Sequence, residues 1–235
     1  MMKHLQKLLL LLLLVTCPST TAYYPWNWMK GGGEVLPSLA YLQGRNNHSC
    51  GGFLVAPNWV MTAAQCLAYK PLTATLGAYS TPRKQQSWQT FQVQEYHSHP
   101  GFTKPVDGDD LLLLKLRGNA SSSGCLALEL GKVLGGTECR VVGWGQQPPG
   151  ARLREANVTI IKPRVCNTFY NWRADNIICG QSASADTPGK SDVGDPLICK
   201  GKAIGIFSYQ RGPQLGLYTH IARYLRWVNS VIKPA

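Results

Sequence analysis

Short runs of apolar and β-branched residues recur along the chain, and Gly, Pro, Asn and Ser punctuate them. They fall at Leu39 to Leu42, Gly52 to Val55, Trp59 to Thr62, Thr73 to Leu76, Thr90 to Val93 and Leu111 to Leu116. They continue at Cys139 to Val142, Asn157 to Ile161, Leu197 to Ile198, Ala203 to Tyr209 and Leu215 to His220. That rhythm predicts an antiparallel β-sandwich or barrel rather than alternating β and α units. The exception is Ile221 to Val231, where Ile221, Leu225, Val228 and Val231, with Tyr224 beside them, recur at helical spacing. This stretch predicts a C-terminal amphipathic helix. No internal repeat or low-complexity linker marks a boundary, so any two lobes are packed closely.

The chain has 235 residues, 44% of them hydrophobic, enough to bury a core in one domain or in two small, tightly joined ones. Near its start Lys3 and Lys7 precede an apolar run from Leu8 to Val15, followed by Ser19, Thr20, Thr21 and Ala22. This pattern predicts a secretory signal peptide over residues 1–22. The run is too short to span a bilayer, and no later segment approaches the roughly 20 apolar residues that a spanning helix needs. The expected product has no transmembrane segment and is secreted, either extracellular or stored in secretory granules.

Removing Lys3 and Lys7 with the leader lowers the net charge from +12 to +10. A field of that sign favours polyanions such as sulfated glycans (a heparin-binding surface), anionic microbial surfaces or acidic proteins, and equally serves solubility. Nucleic acid is not expected as a partner, and a monomer is expected. The basic residues come scattered or in pairs, such as Arg83 with Lys84 and Lys200 with Lys202, so any patch must be assembled by folding. Eight cysteines are present. Loss of Cys17 with the leader leaves seven, which in an oxidising compartment predicts disulfides and one thiol left over. Sequons at Asn47, Asn119 and Asn157 fit glycosylation of surface loops.

Several separated segments resemble trypsin-like serine proteases: Cys50 to Val55, Trp59 to Cys66, Asp109 to Leu116, Val142 to Gly145, Asp192 to Cys199 and Gly216 to Thr219. The resemblance covers Met29 to Val231. It implies an all-β fold of two packed antiparallel six-stranded β-barrels with a C-terminal α-helix and an active-site cleft between the barrels. It further implies a domain over 29–235 preceded by a short extension, 23–28. Within that family the chain is similar to the granule-type branch of granzymes, mast-cell proteases and neutrophil proteases. The resemblance pairs Cys50 with Cys66, Cys139 with Cys199 and Cys166 with Cys179. Cys125 is then expected to be a buried small hydrophobe, the alternative being an exposed thiol open to an intermolecular bond.

The family's chemistry needs a serine nucleophile, a histidine base and a buried aspartate. Where the motif Thr62-Ala63-Ala64-x-Cys66 places the histidine, this chain has Gln65, whose amide cannot take up a proton near neutral pH. Where Gly-Asp-Ser-Gly-Gly-Pro places the nucleophile, it has Val193, which has no lone pair. Asp110 alone keeps the family's residue type. Ser191 stands at the glycine of the oxyanion hole and Asp195 replaces another glycine of the same turn. The resemblance also assigns Thr187, Ser208, Gln210 and Gly216 to the specificity pocket, with Gln210 expected to narrow its entrance. No trypsin-type cut site precedes Met29-Lys30-Gly31-Gly32, so a zymogen-like, loosely ordered loop is expected around Asp192. His97 and His99 are read as parts of a plain His-Pro loop, with no metal and no cofactor. These substitutions imply a pseudoenzyme, comparable in kind to azurocidin, the inactive neutrophil member of the resembled family. A decoy or regulator of protease inhibitors, receptors or substrates is the alternative, and a residual serine endopeptidase a third.

Overall fold

The computed structural model describes residues 37–77, 88–121, 124–144, 153–168, 175–182 and 188–233. Twelve strands close into two antiparallel barrels. The first contains β1 (Leu39–Gln43), β2 (Ser49–Ala56), β3 (Trp59–Thr62), β4 (Thr73–Leu76), β5 (Gln89–Ser98) and β6 (Leu112–Leu116), paired in the order β1-β2-β3-β6-β5-β4. The second contains β7 (Glu138–Gly143), β8 (Arg154–Ile160), β9 (Ile177–Ser182), β10 (Pro196–Cys199), β11 (Lys202–Gln210) and β12 (Leu215–His220), in the order β10-β11-β12-β9-β8-β7. Among the described residues, closure leaves neither sheet with an open edge to template pairing with another chain.

Each expected run lies on a strand or runs into one, with some ends displaced. Strand β5 extends to Ser98, so His97 stands on a strand rather than in the expected loop. There it contacts Glu95 at 2.9 Å, while His99 packs against the edges of Tyr224 and Trp227. Strand β9 is missing from the sequence reading. Its Gly180 weakens the apolar signal, yet a Cβ there would strike Val158, so the close approach of β8 requires glycine. The C-terminal helix also begins differently. Ile221–Tyr224 form a 3-10 turn and only Leu225–Ile232 are α-helical. A short helix α1 (Pro163–Thr168) starts on a proline, whose missing N–H costs nothing in a first turn; the C-terminal helix is α2.

Three disulfides pair Cys50 with Cys66, Cys139 with Cys199 and Cys166 with Cys179. Cys125 departs from expectation, because it too is disulfide-bonded and no described cysteine is free.

The barrels meet along a seam of backbone contacts. Gly51 N–H donates to the Val193 carbonyl at 2.8 Å, and Gly194, at φ 93°, packs so closely on Gly51 and Thr62 that a side chain would collide with both. Tyr224 Oη and Asn176 Nδ2 both donate to Asp109 Oδ1, at 2.6 and 2.9 Å. Within this seam Asp195 is 1% exposed. Its carboxyl group lies against Gly51 of β2 and Gly143 of β7, where a Cβ on either residue would overlap it. Oδ2 has no hydrogen-bond partner. Burial, reinforced by the charge of Asp192, pushes the carboxyl well above the ordinary aspartate range and favours its protonated form.

That shift has a definite sign in stability. The folded chain holds the Asp195 proton more tightly than the unfolded chain, so its contribution is full below about pH 4 and is lost as pH rises through the folded value. Burial raises Asp110 and Asp192 as well, and at Asp192 the Gly189 N–H and then the charge of Arg154 offset part of the shift. Asp195→Asn removes one titration and leaves the others in place. Thermal melts from pH 4 to pH 8 should show the variant's Tm gaining on the parent's as pH rises, at about 2–4 °C per kcal/mol for a chain of this size. Parallel curves would show that the carboxyl stays protonated or finds a partner throughout.

Candidate functional site

Asp110 is fully buried just ahead of β6 and is held from both barrels. From the first, the backbone N–H of Gln65 donates to its Oδ1 at 2.9 Å and Gln65 Nε2 donates to its Oδ2 at 2.6 Å. From the second, Ser208 Oγ on β11 donates to Oδ2 at 2.5 Å. Thr219 of β12 adds a hydroxyl donor, at 3.0 Å, to the Asp110 backbone carbonyl. Burial raises this carboxyl above its usual range, and the donors from Ser208 and Gln65 pull it partly back.

Gln65 reaches this position from a 3-10 turn, Ala64–Tyr69, that follows β3 and is pinned to β2 through the Cys50–Cys66 bond. Its side-chain amide has two donor hydrogens. One goes to Asp110 and the other to the Ser208 carbonyl, 2.8 Å away. Both partners only accept, so the orientation of the amide is fixed by chemistry. What remains on Gln65 is a carbonyl oxygen, which accepts hydrogen bonds but has no useful basicity near neutral pH.

Val193 follows the turn Lys190–Asp192 and is buried, with its carbonyl engaged by Gly51. That turn is hydrogen-bonded. Gly189 N–H donates to Asp192 Oδ2 at 2.7 Å, Asp192 N–H returns to the Gly189 carbonyl at 2.9 Å, and Asp195 N–H donates to the Asp192 carbonyl. The loose loop expected around Asp192 is thus replaced, over residues 188–195, by a closed turn in which the carboxylate partners its own backbone. Ser191 lies half-buried inside it.

Gln65, Val193 and Ser208 share one cleft of about 500 Å³, so the structure brings three separated motifs to one place. His48, Tyr69, Lys190 and Tyr209 line it too, and sequence reasoning did not single them out. Lys190 was legible as the neighbour of the nucleophile motif; His48, stacked on Tyr69 at 4.2 Å, had no such signal. Gln210 stands at the end of β11, paired with Gly216 of β12. Its Oε1 lies 4.0 Å from where a Cβ of Gly189 would be, so the side chain reaches from one wall toward the other. A Cβ on Gly216 would crowd the buried Tyr218 hydroxyl at 2.7 Å. Thr187 lies outside the described residues. The sequon residues Asn47, Asn119 and Asn157 are all exposed.

The model of the Trypsin family matches residues 31–228. A chymase of Papio hamadryas is 33% identical over 227 residues, covering 86% of this chain and 90% of that protein. Granzyme-like protein 1 of Rattus norvegicus is 31% identical over 246 residues, covering 97% and 99%. A solved structure described as GrC superposes with a TM-score of 0.75 at 31% identity, covering 86% of this chain and 99% of its own. With two closed six-stranded barrels and a cleft at their seam, this chain belongs to the chymotrypsin-like serine proteases, in the granule-type branch with chymases, mast-cell proteases and granzymes.

Proposed function

We propose that this chain is a secreted or granule-stored member of the family that has given up catalysis and works by binding, with anionic glycans or microbial surfaces as its ligands. The observation that carries the reading is the Gln65 amide, whose two donor hydrogens are committed to Asp110 and the Ser208 carbonyl. In an active triad the same position donates to the aspartate and also takes the nucleophile's proton. Here the first role is kept and the second is absent, and Val193 offers no oxygen to attack. In a serine protease of unrelated fold, loss of either partner alone lowers turnover by roughly 10⁶-fold. The basic field of the chain, +10 without its leader, supports the choice of anionic ligands.

The cleft itself favours a second reading. It stays open at about 500 Å³ with Gln65, Val193 and Gln210 all in its lining. A decoy that occupies protease inhibitors or substrates would use that space.

Two measurements test these readings. A fluorophosphonate probe should leave the natural chain unlabelled, while a doubly restored variant, Gln65→His with Val193→Ser, serves as the comparison; labelling of the natural chain at any side chain would refute the loss of catalysis. On heparin resin the protein should elute well above physiological salt, about 0.15 M, and its retention should fall steeply as salt rises. Elution at or below that concentration, together with recovery of a protease inhibitor from the native fluid, would favour the decoy.

A further inference from the structure

The second barrel carries a pocket of about 310 Å³ that shares no lining residue with the cleft. Four stretches far apart in sequence build it: 132–135, 160–167, 175–179 and 220–223. Its walls are mainly apolar, with Leu134, Ile161, Ile177 and Ile178 among them. The rim is unusual for a soluble surface. Leu134, which lines the pocket, is 73% exposed, and Val165, within the stretch 160–167, is an exposed large hydrophobic residue too. Isolated apolar residues on a surface need no explanation, but a group of them around a recess marks a binding site.

Charge decides what kind of ligand fits. Two cations and one acid line the pocket: Lys132, Arg223 and Asp175. Asp175 is already engaged, since its backbone carbonyl takes the Arg223 Nε–H at 3.1 Å and its carboxylate lies 3.8 Å from Arg223 Nη2. Lys132 has no ion-pair partner among the described residues. Just outside the lining, Lys162 packs its stem over Gly135, adding another cation to the rim. An apolar recess with an unmatched ammonium group at its edge is complementary to a molecule with an apolar body and a single anionic head.

We propose that this pocket binds a small amphipathic anion, whose chain or ring lies on Leu134, Ile161 and Ile177 and whose carboxylate or sulfate head meets Lys132. The volume is that of about ten waters, which sets the apolar body at roughly a dozen non-hydrogen atoms. A recess of that size between packed elements suits a free molecule better than a bilayer, which needs a broad or protruding apolar surface. The site is independent of the cleft, so it stands whether or not the chain retains catalysis.

Decanoate, titrated below its micelle concentration into the full secreted protein, is the direct probe. Calorimetry should find one saturable site, and decanoate should displace the fluorescent anion 1-anilinonaphthalene-8-sulfonate from it. Lys132→Glu should weaken binding roughly tenfold, the scale of one hydrogen bond to a charged group. Leu134→Asp should weaken it similarly, and its exposure means that the fold is not at risk. Arg117→Glu makes the same change in net charge on the first barrel and should leave affinity unaltered. Absence of saturable binding would overturn the proposal, as would binding that survives both pocket variants or falls equally with Arg117→Glu. Lys132-dependent association with phosphatidylglycerol vesicles without any binding of free decanoate would overturn it too, in favour of a membrane contact.

Discussion

A carboxylate buried without donors is among the more expensive things a protein can contain, and Asp110 avoids that cost by drawing donors from both barrels at once. Gln65 supplies two of them from the first barrel and Ser208 a third from the second. Because the two barrels must face each other for that carboxylate to be satisfied, Asp110 helps fix the seam on which the cleft is built. Each donor to a buried charged group contributes about 1.5–3 kcal/mol, and an orphaned acceptor costs a similar amount. This explains why glutamine, rather than an alkyl residue, is compatible with the fold at position 65. A histidine would offer one ring N–H to the aspartate and a second nitrogen as base. Glutamine reproduces the donor and lacks the base.

Asp195 illustrates the opposite case. It lies in the same seam, but its Oδ2 finds no donor and the charge that acts on it is another acid, Asp192. Protonation is the remaining way to reduce the penalty, and the raised carboxyl reflects this. Space for the group exists because Gly51 and Gly143 have no Cβ where the carboxyl lies. The carboxyl occupies the seam two residues past Val193, and the turn ahead of it is closed by its own hydrogen bonds from Gly189 to Asp195.

Much of this was legible in the sequence, for identifiable reasons. The strand runs alternate or form unbroken apolar stretches such as Leu111 to Leu116, and the motifs around Gln65, Asp110 and Val193 sit in fixed local contexts that a resemblance can align. Other features were hidden. Strand β9 was obscured by Gly180, whose role is to admit Val158 from a neighbouring strand. The 3-10 start of the C-terminal helix follows from how the chain leaves β12, which helical periodicity does not encode. The double donation of Gln65 depends on Ser208, 143 residues away. The outer pocket was invisible because four distant stretches build it and none carries a motif.

The basic charge gains meaning from where the acids are. Asp110, Asp192 and Asp195 are buried, and all three carboxyls are shifted toward the neutral form. Several acids that reach solvent are already matched, Glu95 with Lys115 and His97, Glu129 with Lys202, Glu155 with Arg140, and Asp175 with Arg223. Exposed pairs of this kind add little stability, but they cancel charge locally. The bases outside these pairs carry the excess positive charge that an approaching anion meets. Under the proposed binding role, such a field would attract anionic partners over the whole surface and leave selectivity to the recesses. The cleft and the outer pocket differ in size and share no lining residue, so occupation of one leaves the lining of the other untouched.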